Sequence, residues 1–354
     1  VNRFRAASVE IDAARLSASR GRAEAIVATS GCANALTGAP GLRDARAISR
    51  TAASLLRVRE AHLLLAATGT IGTRLPVARV QRGLRKAVRA LAATEAAGLA
   101  AARGILTTDT RPKLAAVRFG DGAARFTVGW IAKGVGIIGP HMATMLAFLT
   151  TDAEISSAAL SRALRRAVGP SFNAITVDGQ MSTNDSVLLL ANGAAATRPL
   201  SAAGSRSFQG ALDDVCAVLA RELVRDGEGA KHVFEVAVRG ARTAAEAARA
   251  ARAVADSPLV KTMFHGRQPN WGRIAQALGQ SGARFDPLRV VVRVAGTLAV
   301  RGGRLVPSRF GILTKLAEPE IRVDVDLRAG RHAARVLGCD LTEAYVRLNA
   351  GYLS

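Results

Sequence analysis

Aromatic residues make up only 4% of this 354-residue chain, and it holds three cysteines and five histidines. Each scarcity excludes something. Rings this sparse cannot interleave as stacking platforms for single-stranded nucleic acid. Cys32, Cys216 and Cys339 are odd in number, far apart and without CxxC spacing, so neither a disulfide framework nor a zinc site is expected. A reducing cytoplasm fits them. His62, His141, His232, His265 and His332 are equally scattered, and no pair has metal-ligand spacing. The chain lacks any run of about 18 apolar residues that would span a membrane, and Val1-Asn-Arg-Phe-Arg5 lacks the apolar core of a signal peptide. A soluble cytoplasmic protein with no membrane partner is the expectation.

Acidic residues are also few: 27 Asp and Glu face 49 Lys and Arg, for a net charge of +22. That excess by itself suggests nucleic acid or an anionic surface. The arginines, however, are dispersed by ones and twos through alanine-rich stretches such as residues 244–255, with no basic block that would track a phosphate backbone. They read as solvated helix faces, and no nucleic-acid partner is expected. With 49% hydrophobic residues, the chain has enough apolar side chains for one large core or two ordinary ones.

Short β-rich runs alternate with Ala/Leu/Arg segments, which predicts a mixed α/β fold. Residues 25–28, 63–67, 115–119 and 126–131 read as strands, and 45–56 and 77–103 as helices. Further on, helices are expected at 157–168, 206–225 and 243–255. Strands are expected at 187–191 and 233–239 and from Val290 and Ile321. The small residues of 194–207 suit an exposed connection. The two halves are expected to share one compact body.

The most informative segment runs from Lys133 to Asp152. It sets Thr144 between glycine-rich backbone and what reads as an apolar helix. A threonine hydroxyl needs a base to act as a nucleophile, and cleavage of the bond before Thr144 would free an amine to serve as one. Gly134-Val-Gly-Ile-Ile-Gly139 in the same segment is literally GxGxxG, the pattern of a dinucleotide site. It lies mid-chain and is followed at once by Pro140, in a chain with 34 glycines, which argues against that reading. Thr68-Gly69 closes a strand with a small hydroxyl and an unhindered N–H, which could face developing negative charge. Glu228 stands between two glycines in Asp226-Gly-Glu-Gly229, and a tryptophan stands in Pro269-Asn-Trp-Gly-Arg273.

Taken in order, these motifs resemble the ornithine acetyltransferases, or glutamate N-acetyltransferases, of arginine biosynthesis. The resemblance also rests on Leu106-Thr-Thr-Asp-Thr-Arg-Pro-Lys113, Met142-Ala-Thr-Met-Leu146, Ser182-Thr-Asn-Asp185, Ser257-Pro-Leu-Val-Lys-Thr262 and Cys339-Asp-Leu-Thr342. It implies a layered αββα sandwich with a second, smaller α/β unit. It also implies self-cleavage between Ala143 and Thr144, giving chains 1–143 and 144–354 that associate as α2β2. Thr144 then carries the acetyl group, and Thr68 and Gly69 form the oxyanion hole. Thr107, Lys133, Thr144, Glu228, Asn349 and Ser354 bind substrate. The acetyl group passes from N-acetylornithine to glutamate, yielding ornithine and N-acetylglutamate. No metal or bound cofactor is implied, and acetyl-CoA would be a co-substrate only in a bifunctional enzyme.

Some positions depart from the family pattern. Family members carry some tens of residues ahead of the segment matched by Val1 to Arg5. Thr29 and Cys32 replace asparagines, Gln180 and Met181 stand where Asp and Thr are common, and Gln268 occupies an expected Asp position. These changes keep open a related self-cleaving threonine enzyme for another N-acyl amino acid, an amidase, or a weakened non-catalytic paralogue.

Overall fold

The computed structural model describes residues 2–139, 145–195, 198–307 and 312–351. Helix α1 (Ala7–Ala18) precedes strand β1 (Ala25–Cys32), helix α2 (Gly38–Leu56) and strand β2 (Leu63–Thr70). β1 and β2 pair in parallel, as strands joined by a helical crossover must. Alternation along them sorts the side chains. Val27, Leu63 and Leu65 pack against α1, α2 and helix α3 (Val77–Arg89). Ile26, Ala28 and Ala66 face the other way, toward Leu146 and Phe148 of a second sheet.

That second sheet follows helix α4 (Glu95–Gly104). Its region contains the hairpin β3 (Lys113–Asp121) and β4 (Ala124–Lys133), then β5 (Leu146–Thr151), helix α5 (Ser157–Val168), the two-residue β6 (Ile175–Thr176) and β7 (Ser186–Ala191). The strand order is β3-β4-β5-β7, antiparallel except for the parallel β5–β7 pair. Helix α6 (Ala202–Arg225) covers the far face, where Ala147 and Leu149 meet Phe208, Leu212 and Leu219. Helix, sheet, sheet and helix thus stack in the expected αββα order.

The remaining unit contains β8 (Val233–Ala241), α7 (Ala244–Asp256), α8 (Pro258–His265), α9 (Gly272–Gly279), β9 (Val291–Val294), β10 (Thr297–Arg301) and β11 (Arg304–Leu305). α10 (Ile312–Leu316), β12 (Glu320–Asp326), β13 (His332–Cys339) and α11 (Glu343–Gly351) complete it. Its mixed sheet has seven strands in the order β11-β10-β9-β12-β8-β13-β6. One face packs on α7, α8 and α9 through Val254, Phe264 and Ile274. α6 touches β3 and β4 on one side and β6 and β13 on the other, so both sheets share one helix.

Three expectations are corrected. Residues 77–103 are two helices, because the Thr94 hydroxyl accepts the Ala97 N–H and starts α4 afresh. Residues 202–207 belong to α6, whose start is capped by Ser201 accepting from Gly204 N at 3.0 Å. The run after Met145 is strand β5 and not a helix: Leu146 and Phe148 pack on one face, Ala147 and Leu149 on the other. A run buried on both faces carries no period to distinguish the two states. The GxGxxG segment, expected not to be a dinucleotide site, is followed among the described residues by strand β5. Its Ile137 and Ile138 N–H groups donate to the Asp178 carboxylate at 2.6 and 2.9 Å. An internal acid occupies the donors that a phosphate would take.

Candidate active site

Five separate segments bring their ends to one cavity. β2 delivers Thr68 and Gly69, β4 ends on Lys133, and the loop before β3 carries Thr107 and Thr108. The turn after α6 carries Glu228, and α11 carries Asn349. Gly69 is irreplaceable on steric grounds: its φ is +124°, and a β-carbon there would lie 2.2 Å from the Gly31 carbonyl carbon. At Gly31 and Gly69, beside Thr68 in the cavity wall, β1 and β2 lie too close to admit a side chain on Gly69. Gly229 does similar work beside Glu228, since a β-carbon would stand 2.6 Å from Tyr345 N at the start of α11. Thr342 fastens the same contact by donating to the Gly229 carbonyl at 2.8 Å.

Lys133 is 2% exposed. Its ammonium donates to Thr107 Oγ1 at 2.7 Å and Thr68 Oγ1 at 3.2 Å, and lies 3.5 Å from Asp109 Oδ2. Burial pulls its pKa below the ordinary lysine range, against the opposing pull of Asp109. Asp109 is enclosed and touched by both Lys113, at 2.9 Å, and the Gly134 N–H, at 2.8 Å. Burial works to raise its pKa, but Lys133, Lys113 and the Gly134 N–H together hold it below the ordinary carboxylate value. Lys113 in turn also pairs with Asp226. Glu228 has both oxygens held, one accepting from Thr108 Oγ1 at 2.8 Å and the other from Asn349 Nδ2 at 2.9 Å.

Of the residues expected at the site, Thr68, Gly69, Thr107, Lys133, Glu228 and Asn349 line this cavity together. Ala143, Thr144 and Ser354 lie outside the described residues. Met145, the neighbour of Thr144, is described, and its N–H donates to Asp185 Oδ1 at 3.1 Å. Sequence reasoning assigned no role to Thr108, Asp109, Asn184 or Asp185. For Asp109 a signal existed: an acid in a threonine-rich loop, four residues before a lysine. Asn184 and Asp185 stood in the Ser182-Thr-Asn-Asp185 motif that carries the resemblance, but their role was not legible there because their partners are main-chain groups remote in sequence. The departures do not line the cavity. Cys32 is buried beside the Gly31–Gly69 approach, whereas Gln180 and Gln268 are exposed.

A threonine at a glycine-tight strand end, a buried lysine on its hydroxyl and a tethered carboxylate, all on an αββα sandwich, define an enzyme site for a small charged substrate. The ArgJ family pattern matches residues 1–354. The chain is 47% identical over 350 residues to the arginine biosynthesis bifunctional protein ArgJ of Symbiobacterium thermophilum, covering 97% of this chain and 87% of that protein. It is 44% identical over 345 residues to the glutamate N-acetyltransferase of Methanothermobacter thermautotrophicus, covering 94% and 84%. The crystal structure of ArgJ from Bacillus halodurans superposes with a TM-score of 0.55 at 37% identity, covering 58% of this chain and 98% of that one. The chain belongs to the ArgJ family.

Proposed function

We propose that this chain transfers the acetyl group of N2-acetyl-L-ornithine to L-glutamate through an acetyl-Thr144 enzyme, after cutting its own backbone between Ala143 and Thr144. The gathering of Thr68, Lys133 and Glu228 around one cavity carries this reading. The names of the relatives, glutamate N-acetyltransferase and bifunctional ArgJ, support it.

In self-cleavage the Thr144 hydroxyl adds to the Ala143 carbonyl, the amide nitrogen leaves as it gains a proton, and water hydrolyses the resulting ester. The freed α-amine is less basic than a lysine amine and can act as a general base near neutral pH. It takes the hydroxyl proton as Thr144 attacks the acetyl carbonyl, and that proton leaves with the ornithine amine. Glutamate's amine then attacks the acetyl ester and returns a proton to Thr144. Both half-reactions pass through a tetrahedral oxyanion.

Lys133 supplies two things here. By donating to Thr68 Oγ1 it leaves the threonine's own O–H free to point at the oxyanion. With its hydrogens directed at Thr68, Thr107 and Asp109, it offers the substrate α-carboxylate a fixed positive field. Glu228 receives the cationic end of ornithine, and Thr107 and Asn349 complete the polar wall. Ser354 belongs to the same binding set. Chains 1–143 and 144–354 stay joined after the cut because β4 and β5, on either side of it, are neighbours in one sheet. Two such pairs would form the α2β2 assembly. No metal or bound cofactor enters these steps, and acetyl-CoA is the second donor to assay.

Denaturing electrophoresis tests the reading. Wild type should give two bands, one beginning Thr-Met-Leu-Ala-Phe, and Thr144→Ala should give one. A single uncut wild-type band would sink the proposal. Cleavage with hydrolysis of N-acetylornithine but no transfer to glutamate would favour an amidase.

A further inference from the structure

We infer that Asp185 is a positioning residue that holds the main chain following Thr144 against the strand bearing Thr68 and Gly69; this rests on the reading of Thr144 as nucleophile. Asp185 Oδ1 accepts the Met145 N–H at 3.1 Å, and the Ser186 N–H donates to the Met145 carbonyl at 3.1 Å. Both main-chain groups of the residue after Thr144 are thus held by two adjacent residues. The same turn also reaches the opposite wall of the site. Asn184 Nδ2 donates to the carbonyls of Ala67 at 2.9 Å and Ala33 at 2.7 Å. Ala67 directly precedes Thr68.

The Ser182–Asp185 turn is internally braced so that it transmits position. Thr183 Oγ1 donates to Asn184 Oδ1 at 2.6 Å, and the Asn184 N–H donates to Ser182 Oγ at 3.0 Å. A bracket two residues long therefore sets the distance between the start of β5 and the end of β2. The Asp185 carboxyl itself is pushed well above the ordinary range by burial, with the Met145 N–H, the Ser182 hydroxyl and Lys133 opposing. An acceptor whose charge is disfavoured can be replaced by a neutral amide without loss of its hydrogen bond. Position matters here because a misplacement of about 1 Å can slow a positioned reaction about 100-fold.

The test follows precursor conversion by electrophoresis in wild type, Asp185→Ala and Asp185→Asn. Asp185→Ala should self-cleave about 10- to 100-fold more slowly, and Asp185→Asn should stay within about threefold of wild type because it retains the acceptor. Once fully cut, Asp185→Ala should show reduced kcat with KM for N-acetylornithine within about twofold, since the substrate contacts are untouched. Cleavage of Asp185→Ala at the wild-type rate overturns the inference. So does an Asp185→Asn variant as slow as Asp185→Ala, which would assign the role to the proton and not to position. If Asp185→Ala fails to fold, Asp185→Asn decides: near-wild-type cleavage supports positioning, and a tenfold or greater loss refutes it. Failure of wild type to cut brings down the Thr144 reading instead, and is seen in the control lane.

Discussion

Two buried carboxyl groups, Asp109 and Asp185, both feel the charge of Lys133, yet their surroundings push them in opposite directions. Asp109 sits among Lys113, Lys133 and the Gly134 N–H, and these partners hold its pKa down despite enclosure. Asp185 meets the Met145 N–H and the Ser182 hydroxyl, with Lys133 acting only through its field, and burial wins. The same side chain is a counter-ion in one place and a neutral-tolerant acceptor in the other. What separates them is whether a cation is in contact, since desolvation acts on both.

The sharpest way to break this comparison is to remove the charge from each while keeping the shape. Asp109→Asn should destabilise the fold by about 3–5 kcal/mol, because it leaves Lys133 buried with hydroxyl partners only. Asp185→Asn should not destabilise the fold at neutral pH, and near pH 4, where burial keeps its carboxyl protonated in the folded chain, it should change stability by no more than about 0.5 kcal/mol. Equal urea midpoints for the two variants would show that the cations do not set the difference.

Next in size is the effect on rate. Thr68→Val removes the hydroxyl poised by Lys133 and should lower kcat about 100- to 1,000-fold with a normal unfolding curve. A loss under tenfold would mean that Lys133 does not prepare this donor.

A third carboxyl extends the comparison away from the site. Asp12 on α1 accepts the Leu65 N–H at 2.9 Å, and burial raises its pKa to about 7 against the pull of that N–H and of Arg15. A group raised in the folded state contributes stability that is full below its ordinary value of 3.8 and is lost as pH climbs through about 7. Asp12→Asn should therefore match wild type near pH 4 and exceed it at pH 8 by on the order of 2 to 4 kcal/mol. Thermal unfolding across that window checks the sign. The smallest effect belongs to the rim. Glu228→Gln should raise KM for N-acetylornithine about tenfold, worth about 1.4 kcal/mol, and leave the unfolding midpoint alone.

Much of the fold was legible where one face of an element is buried and the other is wet. Helix α5 begins and ends where its sequence says, because Ser156 caps it and its apolar positions repeat with the helical period. Helix α1 was missed because its buried face is Ala7, Ser8, Ile11 and Asp12, half of it polar, so no apolar stripe marks it. β5 was misread because both its faces are packed, which erases the period that would identify a strand. The site followed the same division. Thr68, Lys133 and Glu228 had a role implied by the family resemblance, whereas Asp109 and Asp185, though in motifs, act through partners that only folding supplies.

The sequence by itself determined the alternation of strands and helices and the family, because these depend on local patterns of residue type and order, and the family resemblance then picked out the six cavity residues. Only the tertiary structure decided that the GxGxxG donors serve Asp178, that Lys133 is bound to Thr68, and that Asn184 and Asp185 bracket the two strands. Each of those facts is a hydrogen bond between groups at least 40 residues apart. Such a bond exists only after hydrophobic layers have brought the strand ends together, so no local pattern records it.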